Sequence, residues 1–192
     1  MDRVEERHLL QRAQRGDADA FAQLYRAHVQ PIFRYIYYRV NDTQLAEDLT
    51  SAVFTRALQA LGSYTDQGKP FIAWLYRIAH ARVVDHYRRV ERRPVESDVE
   101  AEPIPVLHDM DHRLLRRQAA TALREAIIQL TGEQQHVIIL RFMEGYNLED
   151  TAMLMGKNAN AIKALQHRAL RSLARHLAQS GFDSESILAG LS

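Results

Sequence analysis

The sequence contains no cysteine, and this absence excludes several kinds of site. Without thiols the chain can form no disulfide and cannot hold zinc or an iron–sulfur cluster through cysteine, which suits a reducing compartment. No window approaches the roughly 18 apolar residues of a membrane span, and the N-terminal segment, MDRVEERHLLQRAQRGD, has no apolar signal-peptide core. These absences predict a cytoplasmic protein with no membrane insertion.

The chain also lacks the motifs that mark catalytic or cofactor sites. No glycine-rich phosphate loop, nucleophile–base pair or cluster of metal ligands stands out in the sequence. His108 and His112 have the spacing of metal ligands on a helix, but the surrounding segment is acidic and aperiodic. A solvated linker is therefore the favoured interpretation of these two histidines. We expect no catalytic residue, no metal and no other cofactor.

Charge is distributed unevenly along a chain whose formal net charge is only +1. Residues 71–93 hold six arginines against two acids, and residues 156–178 hold five basic residues and no acid. Between these segments, residues 94–112 carry six acids and no lysine or arginine. Because lysine and arginine neutralise phosphates, the pattern predicts two nucleic-acid contacts joined by a linker that stays off the phosphate backbone.

Apolar residues recur at the helical spacing of three and four along most of the chain. In residues 19–40 this spacing predicts a helix with one wide buried face that includes Leu24, Tyr25 and Ile36. We expect an all-α protein with two small helical domains, which a length of 192 residues accommodates. The expected bounds are residues 1–93 for the first domain, 94–112 for an acidic flexible linker, 113–178 for the second domain and 179–192 for a short tail.

The segment Asn147–Arg175 has the outline of a helix-turn-helix. A short amphipathic helix is followed by a sharp glycine turn and by a helix whose exposed face is basic and amide-bearing. In such a motif the second helix enters the DNA major groove and presents side chains to the base edges. Asn160 and Gln166 suit adenine edges, whereas Lys163 and Arg168 suit guanine or phosphate. Pairing of Arg168 within its own domain is an equally open alternative.

Four segments follow one another in an order that is typical of one protein family. They are GDADAFAQLYRAHVQPIFRYIYYRV, AEDLTSAVFTRALQAL, FIAWLYRIAHARVVDHYRR and LTGEQQHVIILRFMEGYNLEDTAMLMGKNANAIKALQHRALRSL. With this order, about residues 9–176 resemble a bacterial extracytoplasmic-function (ECF) RNA polymerase sigma factor of the sigma-70 family. The resemblance implies a sigma-2 domain that melts the −10 promoter element and a sigma-4 domain that reads the −35 element. It also implies core RNA polymerase (beta-prime clamp and beta flap), promoter DNA and an anti-sigma factor as partners.

The resemblance assigns roles to three sets of residues. The set that would bind core polymerase is Glu47, Asp48, Ser51, Thr55 and Arg56. The set that would bind and melt the −10 element is Tyr64, Gln67, Lys69, Arg77, His80, Arg82, Arg88 and Arg89. The set that would bind the −35 element is Asn160, Lys163, Gln166, His167, Arg168 and Arg171.

The chain departs from the family's usual residues at three places. Ser51-Ala52 replaces Gln-Glu, His80-Ala81 replaces Arg-Asn, and Leu130-Thr131 replaces Leu-Pro. Among the aromatic residues, the helical spacing of Trp74 favours core packing, whereas Tyr64 lies outside that period and is the better candidate for base contact.

Two other functions remain as alternatives at this point. A stand-alone helix-turn-helix regulator would act as a homodimer on an operator with half-sites one helical turn apart. An enzyme with a helical DNA-binding appendage is the other alternative, and no catalytic motif in the sequence supports it. The sigma interpretation instead predicts a protein that needs polymerase for specific initiation.

Overall fold

The computed structural model describes residues 1–91 and 112–179, without the side chains of 91 and 112–117. Eight α-helices account for most of this part of the chain, which contains no strand, so the all-α prediction is confirmed. Most of the expected acidic linker, including His108, and nearly all of the expected tail lie outside the described residues. The helices are α1 (Arg3–Gln14), α2 (Ala18–Val40), α3 (Thr43–Ala60), α4 (Phe71–Glu91), α5 (His112–Ile128), α6 (Gly132–Ile138), α7 (Leu148–Met155) and α8 (Ala159–Gln179).

Side-chain caps determine where several of these helices begin. The Asp42 carboxylate accepts a hydrogen bond from the backbone N–H of Leu45 at 2.9 Å, which starts α3. Gln134 follows Thr131 by three positions, a spacing typical of a capping box, and the two residues form that reciprocal cap, so α6 begins at the residue after Thr131. Gly156 ends α7 at φ 66°, a left-handed conformation that favours glycine and makes the sharp turn before α8.

Helices α1–α4 form the first helical group around a buried apolar core that includes Leu24, Ile36 and Leu75. A buried polar contact also ties α1 to α2 and α4. The Glu6 carboxylate lies 3.0 Å from His28 Nε2 and accepts a hydrogen bond from the Phe71 N–H at 3.1 Å. Burial opposes ionisation of this carboxyl, but these hydrogen bonds hold the pKa of Glu6 below its usual value. The contact fixes the start of α4 and therefore the loop that precedes it.

Helices α5–α8 form the second helical group around a core that includes Ile127, Val137, Ile162 and Leu173. Helix α6 continues into a short π-helical turn, Ile139–Met143, which the sequence pattern did not predict. The turn ends with Glu144, whose N–H donates to the Ile139 carbonyl at 2.9 Å. None of the described helices is long and apolar enough to cross a bilayer.

The two helical groups pack against each other. Helices α2 and α4 of the first group contact α5, α7 and the π-helical turn of the second. Ile139, Leu140 and Leu154 from the second group belong to the same buried cluster as the core of the first group. Several side chains with expected functions therefore lie near this junction.

Candidate nucleic-acid interface

Helix α8 has a buried apolar face and an exposed cationic face. Its buried face includes Ile162, Leu165 and Leu173, which pack in the second core. The opposite face exposes five of the six residues expected at the −35 element, namely Asn160, Lys163, His167, Arg168 and Arg171. This division follows from the helical period, and it leaves long donor side chains free to enter a groove. Their contact with DNA remains a prediction.

The sixth residue, Gln166, is half-buried and has a partner that the sequence did not reveal. Its amide oxygen accepts a hydrogen bond from Arg141 Nε at 3.0 Å, and Arg141 also donates to the carbonyl of Tyr146. The bond holds the Gln166 amide in one orientation and leaves its NH2 group to donate. Arg141 and Gln166 are 25 positions apart, so only the tertiary fold could show this contact.

The start of α8 is also fixed by a residue that sequence analysis did not select. The Asn158 side chain accepts a hydrogen bond from the backbone N–H of Ala161 at 2.8 Å and so caps the helix. The cap places Asn160 in the first turn, where the helix dipole carries partial positive charge. The N-terminal turn of α8 is therefore suited to lie against phosphate or a base edge.

A cavity of about 540 Å³ lies beside the start of α4. Four of the residues expected at the −10 element line it, namely Tyr64, Gln67, Lys69 and Arg77. Trp74 lines it as well, and the centroid of its ring lies 4.8 Å from that of Tyr64. An aromatic wall with cations at its edge can stack a base and contact its phosphate. Trp74 is only partly buried, so the expectation of simple core packing accounts for part of its surroundings.

Contacts from α1 hold the loop before this cavity in place. Gln14 Nε2 donates to the carbonyls of Leu61 and Tyr64, at 3.1 and 2.7 Å. Asp66 accepts from the Gly68 N–H and from Arg7 Nε, both at 2.8 Å, and these bonds hold the pKa of the Asp66 carboxyl below its usual value. The loop is therefore shaped before any ligand reaches it.

The other four expected −10 residues lie apart from the cavity. Arg82 lines a neighbouring hollow with Arg77, and Arg88 and Arg89 are exposed near the end of α4. His80 is half-buried between the two helical groups, where its ring stacks on that of His136. Burial there, reinforced by the nearby Arg39 guanidinium, lowers the pKa of His80. The DNA contact expected of His80 remains a prediction, and in this arrangement its ring lies against the second helical group.

Helix α3 presents all the residues expected to bind polymerase on its exposed surface, namely Glu47, Asp48, Ser51, Thr55 and Arg56. Beside them lies a hollow of about 310 Å³ lined by Tyr25, Val29 and Phe33 of α2. Tyr25 is 41% exposed, so its expected place on the buried face of α2 was wrong. Its ring packs edge-on against Phe54 at 4.8 Å and leaves one side in solvent. Polar and apolar surface therefore lie together, as in many protein-binding sites.

The fold is that of an all-helical protein with a helix-turn-helix and a second, aromatic and cationic surface that is suited to nucleic acid. Comparison with known families gives the same class. Residues 24–93 match the model of Sigma-70 region 2, and residues 126–175 match that of Sigma-70, region 4.

Similar proteins identify the group within this family to which the chain belongs. The chain is 43% identical over 170 residues to the ECF RNA polymerase sigma factor BldN of Streptomyces coelicolor, a match that covers 88% of this chain and 64% of that protein. It is 33% identical over 175 residues to the ECF RNA polymerase sigma factor ShbA of Streptomyces griseus, covering 86% of this chain and 91% of the other. The chain belongs to the ECF sigma factors of the sigma-70 family, whose members direct transcription initiation at promoters.

Solved structures of lower identity share the fold. CnrH, in complex with the cytosolic domain of CnrY, is 23% identical and superposes with a TM-score of 0.66 over 91% of this chain and 98% of that chain. The sigma factor RpoE from Bartonella quintana, in complex with the anti-sigma factor NepR, is 22% identical with a TM-score of 0.58, over 82% of this chain and 96% of that chain.

Proposed function

We propose that this protein binds core RNA polymerase and directs promoter-specific transcription initiation in the cytoplasm. In this proposal the second helical group reads the −35 element through α8, and the first group captures and melts the −10 element at the Tyr64 cavity. The observation that supports the proposal is that one chain presents two different surfaces suited to nucleic acid. One is the cationic face of α8, suited to duplex, and the other is an aromatic and cationic surface of the first group, formed by Tyr64, Trp74 and Lys69, suited to an unstacked base.

We also propose a role for each segment of the chain. Residues 1–93 would be the sigma-2 domain and residues 113–178 the sigma-4 domain, with residues 94–112 as the linker and 179–192 as a tail. The α3 surface would contact the beta-prime clamp, and the second group would contact the beta flap. An anti-sigma factor completes the proposal on the ground of family membership. A sigma factor acts as an initiation subunit and carries out no catalysis of its own.

The proposal is tested by run-off transcription with purified core polymerase on a library of genomic fragments. A sigma factor is expected to give discrete transcripts from particular fragments only when both protein and core polymerase are present. A stand-alone dimeric regulator would instead bind an operator tightly without polymerase and would start no transcript. Specific binding by the protein alone, with no initiation on any fragment, would refute the sigma function.

The −35 surface gives a prediction about two residues of α8. Gln166→Ala is expected to change the preferred −35 bases, since removal of one good base contact costs about 1 to 3 kcal/mol of discrimination. Arg171→Ala is expected to weaken binding to all sequences alike and to reduce the salt dependence. Both are measured as transcription from a panel of −35 variants at two salt concentrations.

Arg141→Met is the matched control for the glutamine. It removes the hydrogen bond that orients Gln166, together with the one to the Tyr146 carbonyl, and leaves the glutamine itself in place. It should therefore change the preference for particular −35 bases less than Gln166→Ala does. Equal losses on every −35 variant for Gln166→Ala would contradict base reading by this residue.

A further inference from the structure

A buried arginine connects the two helical groups. Arg39 of α2 is 2% exposed, and its Nε donates to Gln135 Oε1 of α6 at 2.9 Å. Its Nη1 donates to the Tyr35 hydroxyl at 2.9 Å and lies 2.9 Å from His80 Nδ1. Gln135 in turn donates to the Ile127 carbonyl at 3.0 Å. A buried guanidinium is costly unless it is hydrogen-bonded, so this network favours one specific docking of the groups.

Rings and a glycine complete the centre of this contact. The His136 ring stacks on His80 at 5.6 Å between centroids and meets Tyr35 edge-on at 5.1 Å. Gly132 lies against the same residues: a Cβ at this position would stand 3.3 Å from Arg39 Nη2 and 3.4 Å from His80 Cε1. A side chain at this position would therefore press on Arg39 and His80 at the centre of the contact.

An ion pair closes the rim of the contact. Arg34 Nε and Nη2 donate to the two carboxylate oxygens of Glu144 at 2.8 and 2.6 Å. The Glu144 side chain is only 4% exposed, whereas that of Arg34 is 46% exposed. A two-bond pair with one nearly buried partner is more specific than a solvated surface pair. We call the set Arg34, Arg39, His80, Gln135, His136 and Glu144 the latch.

The latch brings the two nucleic-acid surfaces together. Leu154, Met155 and Gly156, at the turn of the helix-turn-helix, line the Tyr64 cavity from the opposite side. Lys69 Nζ would lie 3.6 Å from a Cβ on Gly156. In the latched form, the turn before α8 therefore lies against the surface proposed to capture the −10 element.

We propose that the latch is an autoinhibitory contact, in which the second helical group docks on the −10 surface of the first and must be released before the promoter melts. In the latched form the second group packs against His80 and forms one side of the Tyr64 cavity. It leaves Asn160, Lys163 and Arg171 of α8 exposed. It therefore blocks −10 capture and spares −35 contact. This identification of the blocked step rests on the proposed function, whereas the docking itself does not.

Because the natural chain has no cysteine, two spin labels can be placed selectively. Gln11→Cys on α1 and Ala178→Cys on α8 are exposed positions outside the latch. Double electron–electron resonance on the free protein should show one short, narrow distance. Arg34→Glu or Glu144→Arg alone should lower that population at least threefold, and the double exchange Arg34→Glu/Glu144→Arg should restore it. Unchanged distances in both single variants would overturn the docking.

Arg12→Glu is the matched control, because Arg12 pairs with Asp17 within the first group at 2.7 Å and does not touch the latch. It should leave the distance unchanged. Gly132→Leu is an independent variant that wedges the groups apart at a position without positive φ. It should replace the short distance by longer ones even if the ion pair contributes little, and circular dichroism should show that its helices persist.

The inhibitory role is measured as promoter opening with core polymerase. Released variants should open a promoter at least threefold faster than the natural chain, and the double exchange should return the rate to its natural value. Release without faster opening would overturn autoinhibition and leave the docking intact. No promoter activity in any variant, including the natural chain, would refute the proposed function, while the distances would still decide whether the groups dock.

Discussion

Replacement of Glu47 and Asp48 together by arginine is expected to lower polymerase-dependent transcription more than tenfold. Both carboxylates are exposed on α3, in the surface proposed to contact the polymerase clamp. Glu47 also lines the hollow beside Tyr25, so the reversal would place cations at the edge of the docking surface. Like charges brought together across an interface cost several kcal/mol, and about 1.4 kcal/mol already corresponds to a factor of ten in affinity.

The effect is measured as affinity for core polymerase and as run-off transcription at limiting protein. The double variant Glu5→Arg/Asp19→Arg makes the same change of charge at exposed positions of α1 and α2, outside this surface, and should leave both readouts near their natural values. The thermal unfolding of the double variant should match that of the natural chain, because neither carboxylate is buried. Natural affinity in the double variant would show that polymerase docks elsewhere.

Local regularities made much of the fold predictable. The spacing of apolar residues located the long helices. Thr131 with Gln134 marked the start of α6, because a capping box is formed by two residues only three positions apart. The glycine turn at Gly156 was visible for the same reason, since a left-handed residue suits a helix end. The exposed face of α8 followed from periodicity once its buried face was known.

Contacts between distant residues were beyond the reach of those regularities. The exposure of Tyr25 depends on how α3 passes over α2, and the orientation of Gln166 depends on Arg141. The resemblance implied a DNA contact for His80, but only the fold shows that its ring stacks on His136 of the second helical group. A helical period identifies an apolar face without specifying its partner, and the latch is made largely of polar residues that no period marks.

The latch should also respond to acid, through a histidine with no hydrogen-bond partner for its Nε2 among the described residues. Burial lowers the pKa of His136 from 6.5 to about 3, and the neighbouring His80, Arg39 and Lys157 act in the same direction. Burial and the Arg39 guanidinium also lower the pKa of His80, whereas Glu133 acts to raise it. Glu133 is exposed and pairs with Lys157 at 2.9 Å.

The direction of the pH effect depends on which form of the protein, latched or released, takes up the proton on His136. The latched form keeps His136 neutral, whereas a released form in which the ring faces water protonates near its ordinary value of 6.5. Latching is therefore unaffected above pH 6.5 and weakens as the pH falls from 6.5 towards 3. At pH 5 the difference of 1.5 units corresponds to about 2 kcal/mol, or roughly thirtyfold in the ratio of latched to released protein.

The same spin-labelled chain measures this effect between pH 8 and pH 5, where the short distance should give way to longer ones as the solution is acidified. His136→Phe keeps a ring in the stack but cannot take up a proton, and it removes a nitrogen that has no partner in the described part of the chain. This variant should stay latched to lower pH than the natural chain, with any remaining acid sensitivity arising from His80. Identical pH profiles for the two proteins would show that protonation of His136 does not open the latch.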